Sequence, residues 1–391
     1  MIIVSGMIML GLAASWILFH RFPELEGVNP KEANGPIPKS ARLSIIIPAR
    51  NEEKNLALLL GGLRNQTLDI HEIICVDDGS SDQTASIATA FGTRLITAAP
   101  KPAGWLGKSW ACQQGGDAAT GELLLFLDAD VRLSLAGLGK LLKAHQRTGR
   151  VISVMPYHQI ENKTEALSLF FNCIQMGANG LGLPAGRDQK KQEQKNLKQK
   201  NKKSSHPYQI GLYGPVILIS QADYQAVGGH AAIKDSIVDD MALGEELREK
   251  DISFALFLGD HDVSYRMYGG GLRELVQGWT KNQAAGVAKT PLLILVLVFF
   301  WITAVASAPL YLALNLVWQQ WLWAGILAVF YAIWVLELIR IARHIGSFSV
   351  SSIFFYPLLL IFYLLIFLRS MAKKILGQPV IWKDREIRLD K

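Results

Sequence analysis

The amino-acid sequence predicts an α/β domain with a mostly parallel sheet, flanked at both ends by apolar helices of membrane-spanning length. Three observations lead there. Short β-branched runs alternate with segments of helical spacing between residues 43 and 128, the pattern of βα units. Polar clusters directly follow those runs, where ligands of such sheets bind. Half of the residues are hydrophobic and only 19% are charged, with the apolar excess concentrated near the two ends.

Ile2 to Phe19 is apolar throughout and runs into His20-Arg21. Its length just suffices to cross a bilayer core. No small-residue cleavage site follows, so residues 1–20 are expected to be a retained anchor. The basic flank then places the next domain, 41–288, in the cytosol. Gly27 to Ser40 is rich in Pro, Gly and Asn and reads as a linker.

Strands are expected at Leu43 to Pro48, Glu72 to Val76, Arg94 to Thr97 and Glu122 to Leu127. Helices are expected at Glu52 to Asn65, where Leu56, Leu59, Leu60 and Leu63 share a face, at Thr84 to Phe91 and at Lys108 to Ala119. The apolar, Gly-rich stretch Thr164 to Pro184 is expected to form an interfacial helix.

The formal charge of +7 hints at nucleic acid, but residues 185–206 hold eight Lys or Arg against two acids. The rest of the chain is nearly neutral, so no nucleic-acid partner is expected. The basic stretch reads as a solvated loop, or as a contact with anionic membrane lipids. Cys75, Cys112 and Cys173 are odd in number and far apart, which suits a reducing compartment and argues against a disulfide framework.

Three apolar segments end the chain within 290–370: Pro291 to Trp318, Trp321 to Ile339 and Ile353 to Leu368. Three crossings would carry the tail, 371–391, outside. Its Lys373, Lys374, Lys383, Arg385 and Arg388 favour the inside. One segment is therefore expected to be re-entrant or interfacial.

The chemistry-bearing motifs sit at strand ends. Asp128-Ala129-Asp130 sets two carboxylates about one small residue after a buried run. Such a pair suits Mg²⁺ or Mn²⁺, hard cations that take one or two carboxylates and complete their shell with phosphates and waters. Asp77-Asp78-Gly79-Ser80 offers a carboxylate for a base N–H, or a turn with a Ser cap. Pro48, Ala49, Arg50 and Glu52 follow the first strand, where backbone lines a pocket. Lys108 lies near a helix start, suited to a phosphate although the spacing is not that of a P-loop. Asp239-Asp240 supplies a candidate base, or simply N-terminal helix charges. Gln277-Gly278-Trp279-Thr280-Lys281 precedes the membrane segments and is expected to close over a ligand or anchor an interfacial helix.

These motifs, in this order, resemble the inverting family 2 glycosyltransferases of GT-A fold, a Rossmann-like mixed sheet. Within that family the chain looks most like membrane-bound enzymes that glycosylate carotenoid acids. The carrying stretches are IIIPARNEE at 45–53, GKSWAC at 107–112, DADV at 128–131, PYH at 156–158, GPV at 214–216, GGH at 228–230, RMY at 266–268 and GWTK at 278–281. The likeness extends to Val380-Ile381-Trp382-Lys383 in the tail. Two departures stand out: the insert at 187–203, and a closing motif shortened from Gln-x-x-Arg-Trp to Gln277-Gly278-Trp279, without its arginine.

The resemblance implies transfer of glucose from UDP-glucose to the carboxyl of a C30 carotenoid acid. The alternative acceptor is the hydroxyl of a membrane lipid of ceramide, diacylglycerol or hopanoid type. Asp77 or Asp78 would meet the uracil, Asp128 the ribose side and Asp130 the metal. Gln277 and Trp279 would help hold the donor. Asp240, with Asp239 second, would face the reacting centre. A carotenoid acid is already ionised at pH 7 and needs no base, so Asp240 would then chiefly position or stabilise. Nearby cations should offset that anionic acceptor, with His158, His230 and Arg266 as candidates.

Overall fold

The computed structural model of the chain describes residues 1–25, 42–183, 209, 211–382 and 385–387. The expected linker, the basic loop at 185–206, Lys383 and Arg388 lie outside the described residues.

Helix α1 (Ile2–Phe19) opens the chain. The expected alternation follows as β1 (Leu43–Ala49), α2 (Glu53–Arg64), β2 (Glu72–Asp77), α3 (Thr84–Ala90), β3 (Arg94–Thr97), α4 (Gly107–Ala118) and β4 (Leu123–Leu127). The second half adds β5 (Val131–Leu133), α5 (Gly137–Thr148), β6 (Val151–Met155), β7 (Tyr157–His158), α6 (Leu169–Ala178), β8 (Val216–Ser220), α7 (Gln221–Ala226), α8 (Asp239–Glu249), β9 (Phe254–Leu258) and β10 (Val263–Tyr265).

The main sheet runs β3-β2-β1-β4-β8-β6-β9. β1 lies parallel to β2 and β4, whereas β8 is antiparallel to β4 and β6. The sheet is thus mixed, as the GT-A likeness implied. Reversal of β8 has a positional effect. Its first residue, Val216, pairs with Leu127 at the end of β4, so Gly214-Pro215 joins the carboxyl edge.

Successive strand residues point to opposite faces. On β1, Ile45 and Ile47 meet the leucines of α2, while Ile46 faces the other layer with Phe126, Cys112 and Tyr224. Leu218, between two strands and fully buried, is expected to cost about 2–5 kcal/mol when cut to alanine. Denaturation of the detergent-solubilised L218A protein measures it.

The C-terminal third comprises α9 (Leu272–Lys289), α10 (Leu292–Val317), α11 (Trp321–Ile345), the short α12 (Val350–Phe354), α13 (Tyr356–Ile375), and a hairpin of β11 (Val380–Trp382) and β12 (Arg385–Ile387). Among the described residues, three helices are long and apolar enough to cross a membrane: α1, α10 and α11. α1 packs along α10, and α10 along α11. A polar latch ties the first to the last. Ser15 Oγ donates to Glu337 Oε1 at 2.7 Å, Arg340 grips Glu337 at 2.7 and 2.8 Å, and Arg340 Nη1 donates to Phe19 O at 2.8 Å.

The segment that does not read as a span is the last of the three, and one expectation is corrected. The third C-terminal segment, α13, lies against the rest of the α/β domain. Tyr363 packs edge-on to Phe171 with ring centroids 5.0 Å apart, and Ser370 Oγ donates to Thr280 O at 2.6 Å. Its other face exposes Leu358, Ile361, Leu365 and Leu368, a stripe suited to lipid. Two C-terminal candidate spans instead of three keep the basic tail on the side of the sheet. The correction concerns the segment Thr164 to Pro184, whose described part, up to Leu183, is not interfacial. Leu169, Phe170, Phe171, Cys173 and Met176 of its α6 are completely buried, because α6 is wedged between the domain and helices α10, α11 and α13.

Candidate active site

The carboxyl ends of β1, β2 and β4 open onto a cavity of about 740 Å³. Pro48, Ala49, Arg50 and Glu52 reach it from β1, and Asp78 from β2. Lys108 comes from the start of α4, and Asp128 and Asp130 follow β4. Asp239 and Asp240 come from the start of α8, and Trp279 from α9. Parallel pairing of β1 with β2 and β4 makes these ends neighbours.

The first two loops brace each other. Asp78 N donates to Ala49 O at 2.9 Å, and Arg50 Nη1 donates to Asp78 O at 2.7 Å. Asn51 takes a left-handed φ of 51°. Its amide donates to Ser80 Oγ, and its side-chain oxygen accepts from Ser81 N. Of the two adjacent aspartates only Asp78 lines the cavity. Asp77 is turned to Ser80, whose N–H and hydroxyl it accepts. Of the two, Asp78 is therefore the one placed to meet a ligand in the cavity.

Around Lys108 the charges converge. Its Nζ meets Asp128 Oδ1 at 2.7 Å and Oδ2 at 2.9 Å, and lies 4.0 Å from Asp239 Oδ2. Asp240 Oδ2 accepts from Gly214 N at 2.9 Å, and Oδ1 accepts from Met241 N at 2.8 Å. Burial, with the Asp239 charge beside it, pushes the Asp240 carboxyl up to about 6. Burial also raises Asp128, against the pull of Lys108. For Asp239 burial is outweighed by Lys108 and Lys281, and its carboxyl is lowered. Burial works against the Lys108 ammonium, yet Asp128 and Asp239 hold it well above its ordinary value. The two adjacent aspartates thus differ: Asp239 is firmly ionised and Asp240 is poised to exchange a proton.

Several expected residues lie elsewhere. Gln277 is not among the cavity-lining residues; Trp279 is, but its ring is nearly buried. It stacks on Phe171 at 4.6 Å and donates to Ser168 Oγ at 3.2 Å. His158 and His230 are corrected as cations. His158 is completely buried against Asn172, and burial pushes its imidazole down to about 3. His230 is buried against Tyr224, and burial pushes it down to about 4. Both are neutral at pH 7. Arg266 lines the cavity, but Glu161 and Glu165 hold it at 2.6 and 2.8 Å. The cation that residue reading passed over is Lys281, on the cavity wall within electrostatic reach of Asp239 and Asp128. It stood in the GWTK stretch, two residues beyond the tryptophan that drew attention.

A divalent cation fits this donor set as a shared ligand. Among the described residues no three His, Cys, Asp or Glu side chains gather into a closed cage. Mg²⁺ and Mn²⁺ need none, since one or two carboxylates suffice when substrate phosphates and water complete the shell. Asp130 lines the cavity next to Asp128 and offers only oxygen.

A second arm of the cavity is apolar. Ile174 and Ala178 of α6, Leu295, Val298, Phe299 and Ile302 of α10, and Tyr363, Leu364 and Phe367 of α13 form its walls. The arm adjoins α10, a helix long and apolar enough to cross a membrane.

Comparison with known proteins agrees with this geometry. The chain is 29% identical over 393 residues to 4,4'-diaponeurosporenoate glycosyltransferase of Staphylococcus aureus strain MRSA252, covering 100% of this chain and 98% of that one. The same holds for the protein of that name from strain USA300. A mannosyltransferase from Pyrobaculum calidifontis, solved with GDP-mannose and Mn²⁺, superposes with a TM-score of 0.51. It is 15% identical, covers 91% of this chain and 97% of its own, and so shares the fold. Residues 44–211 match the family model of Glycosyl transferase family 2, so that stretch is similar to family 2 glycosyltransferases, and the chain shares the fold of a sugar-nucleotide transferase.

Proposed function

We propose that this glycosyltransferase moves glucose from UDP-glucose to the carboxyl of a long apolar acid of C30 carotenoid type, with inversion, at the cytosolic membrane face. One observation carries the reading: a single cavity joins the carboxylate and lysine cluster to an apolar arm walled by α10 and α13. The full-length likeness to a diaponeurosporenoate glycosyltransferase supports the acceptor class. The proposed units are an anchor at 1–20, a catalytic domain at 41–288, C-terminal membrane helices within 290–370 and a basic tail at 371–391.

In this mechanism Asp78 receives the base N–H, and Pro48, Ala49, Arg50 and Glu52 shape its pocket. Asp128 faces the ribose side and Asp130 holds the metal. Bound there, Mg²⁺ or Mn²⁺ would neutralise the diphosphate and assist its departure. Lys108 and Lys281 face the same leaving group. The acceptor oxygen attacks C1 opposite the diphosphate. The C1–oxygen bond forms as the C1–phosphate bond breaks, and the electron pair leaves with UDP. A carboxylate acceptor brings no proton, so Asp240 positions it and stabilises positive character at C1. Lys108 and Lys281 offset the repulsion between the anions. With a hydroxyl lipid, the second reading, Asp240 takes the proton.

Mass spectrometry of lipid extracts from cells with and without the chain tests the function. A one-hexose shift on an apolar acid supports it, and a shift confined to hydroxyl lipids selects the second reading. Filling the apolar arm gives a sharper check. Val298→Trp is expected to raise the acceptor KM roughly tenfold through overpacking, with the donor KM unchanged in steady-state kinetics.

A further inference from the structure

The C-terminal hairpin reaches the cavity at Asp78. Arg385 Nη1 donates to Asp78 Oδ2 at 2.5 Å, and Nη2 donates to Oδ1 at 3.2 Å and to the Asp78 carbonyl at 3.3 Å. This is a two-pronged guanidinium–carboxylate pair, which fixes geometry as well as charge. Its side chains are 36% and 12% exposed, so it is not an ordinary solvated surface pair. Both residues line the cavity, together with Lys101, Trp105 and Gly107. Gly107 leaves room for the pair, since a Cβ there would collide with Asp78 Oδ2 and Arg385 Nη1.

The arginine is held by local structure. Arg385 pairs with Trp382 across the hairpin, Val380 is 2% exposed, and Lys373 Nζ donates to Pro379 O at 2.7 Å. The hairpin also continues from α13, whose Tyr363, Leu364 and Phe367 wall the apolar arm. The C-terminal stretch from α13 to the hairpin therefore contributes to both the apolar and the charged lining of the cavity.

We propose that Arg385 is a positioning residue of the donor site, which orients the Asp78 carboxylate for the nucleotide base and adds positive charge beside its diphosphate. The proposal rests on the reading that Asp78 faces the donor's base. A carboxylate has four lone-pair sites. A two-pronged arginine occupies two of them, fixes the plane, and leaves the others for a base N–H. Without it, Asp78 would be an unneutralised anion next to an incoming polyanion.

The test uses the full-length protein in detergent micelles or nanodiscs, with UDP as the probe. R385A is expected to weaken UDP binding roughly 10- to 100-fold by calorimetry and to raise the donor KM in parallel. The acceptor KM and kcat at saturating donor should stay within about twofold of wild type. R385K, a point charge without the fork, should recover part of the loss. In a D78N background R385A should cost less than in wild type, because the two act together. Wild-type binding that R385A leaves unchanged overturns this proposal alone, as do fully additive losses with D78N. A fall in ligand-free melting temperature, accompanied by equal losses in kcat and acceptor KM, assigns Arg385 to folding and also overturns it. Wild-type protein that binds no UDP overturns the donor reading, and this proposal with it.

Discussion

Replacing Asp240 with asparagine is expected to lower transfer to a hydroxyl acceptor roughly 10²- to 10⁴-fold, but transfer to an ionised carboxylate by about tenfold at most. The contrast comes from the proton count. A hydroxyl must lose a proton as its oxygen bonds to C1, and Asp240, pushed up to about 6, is suited to take it. A carboxylate acceptor brings none. The residual cost for that acceptor is structural. Asp240 accepts from both Gly214 N and Met241 N, and asparagine has only one oxygen for the two donors. The pH profile carries the same sign. For a hydroxyl acceptor, kcat/KM falls as pH drops through about 6, because protonated Asp240 cannot act as a base. A divalent cation nearby favours the ionised form and moves that limb lower. For a carboxylate acceptor the limb follows the acceptor's own pKa, near 4 to 5, and persists in D240N. Measuring kcat/KM against pH for both proteins separates the two acceptors. Loss of transfer to a carotenoid acid by 10³-fold in D240N would sink the positioning role.

Asp130→Ala is expected to reduce transfer at least about 10²-fold and to remove the dependence of the remaining rate on Mg²⁺ or Mn²⁺. The side chain offers carboxylate oxygens on the cavity wall, while the residue's backbone serves the fold through Arg266 N, which donates to Asp130 O at 3.2 Å. That bond survives in alanine, so folding and activity can be told apart. Steady-state transfer across a metal titration, beside the melting temperature of the same preparation, is the measurement. A D130A protein that kept wild-type transfer with wild-type metal dependence would refute the assignment.

The placement of the carboxyl-edge residues was legible because each group directly follows a strand whose β-branched or leucine-rich run is plain in the sequence. Asp78 and Asp128 are the clearest instances, since the parallel pairing of β1 with β2 and β4 puts both strand ends on one edge of the sheet. Three things were not legible, each for a physical reason. Burial decides histidine charge: His158 and His230 sit beside tyrosines in ring contact, and nothing in their local motifs states that water is excluded. Amphipathicity misleads when both faces are apolar, as in α13, where one face meets protein and the other is open to lipid. Contacts between distant segments leave no trace in one sequence. Asp78 and Arg385 are 307 positions apart, and only the reversal of the chain after α11 brings them together.

The latch between α1 and α11 has a consequence for biogenesis. Ser15 and its partner Glu337 are separated by 322 positions. At ribosomal rates of about 5–20 residues per second, on the order of 15–60 s elapse between their syntheses. During that interval α1 exists without α10 and α11, the helices it meets in the finished structure. Glu337 and Arg340 lie one turn apart and pair with each other, and a neutral pair is cheaper to place in an apolar helix than two separate charges. Packing of α1 against α10, and its latch to α11, are thus late events, possible only after the whole α/β sheet has been synthesised.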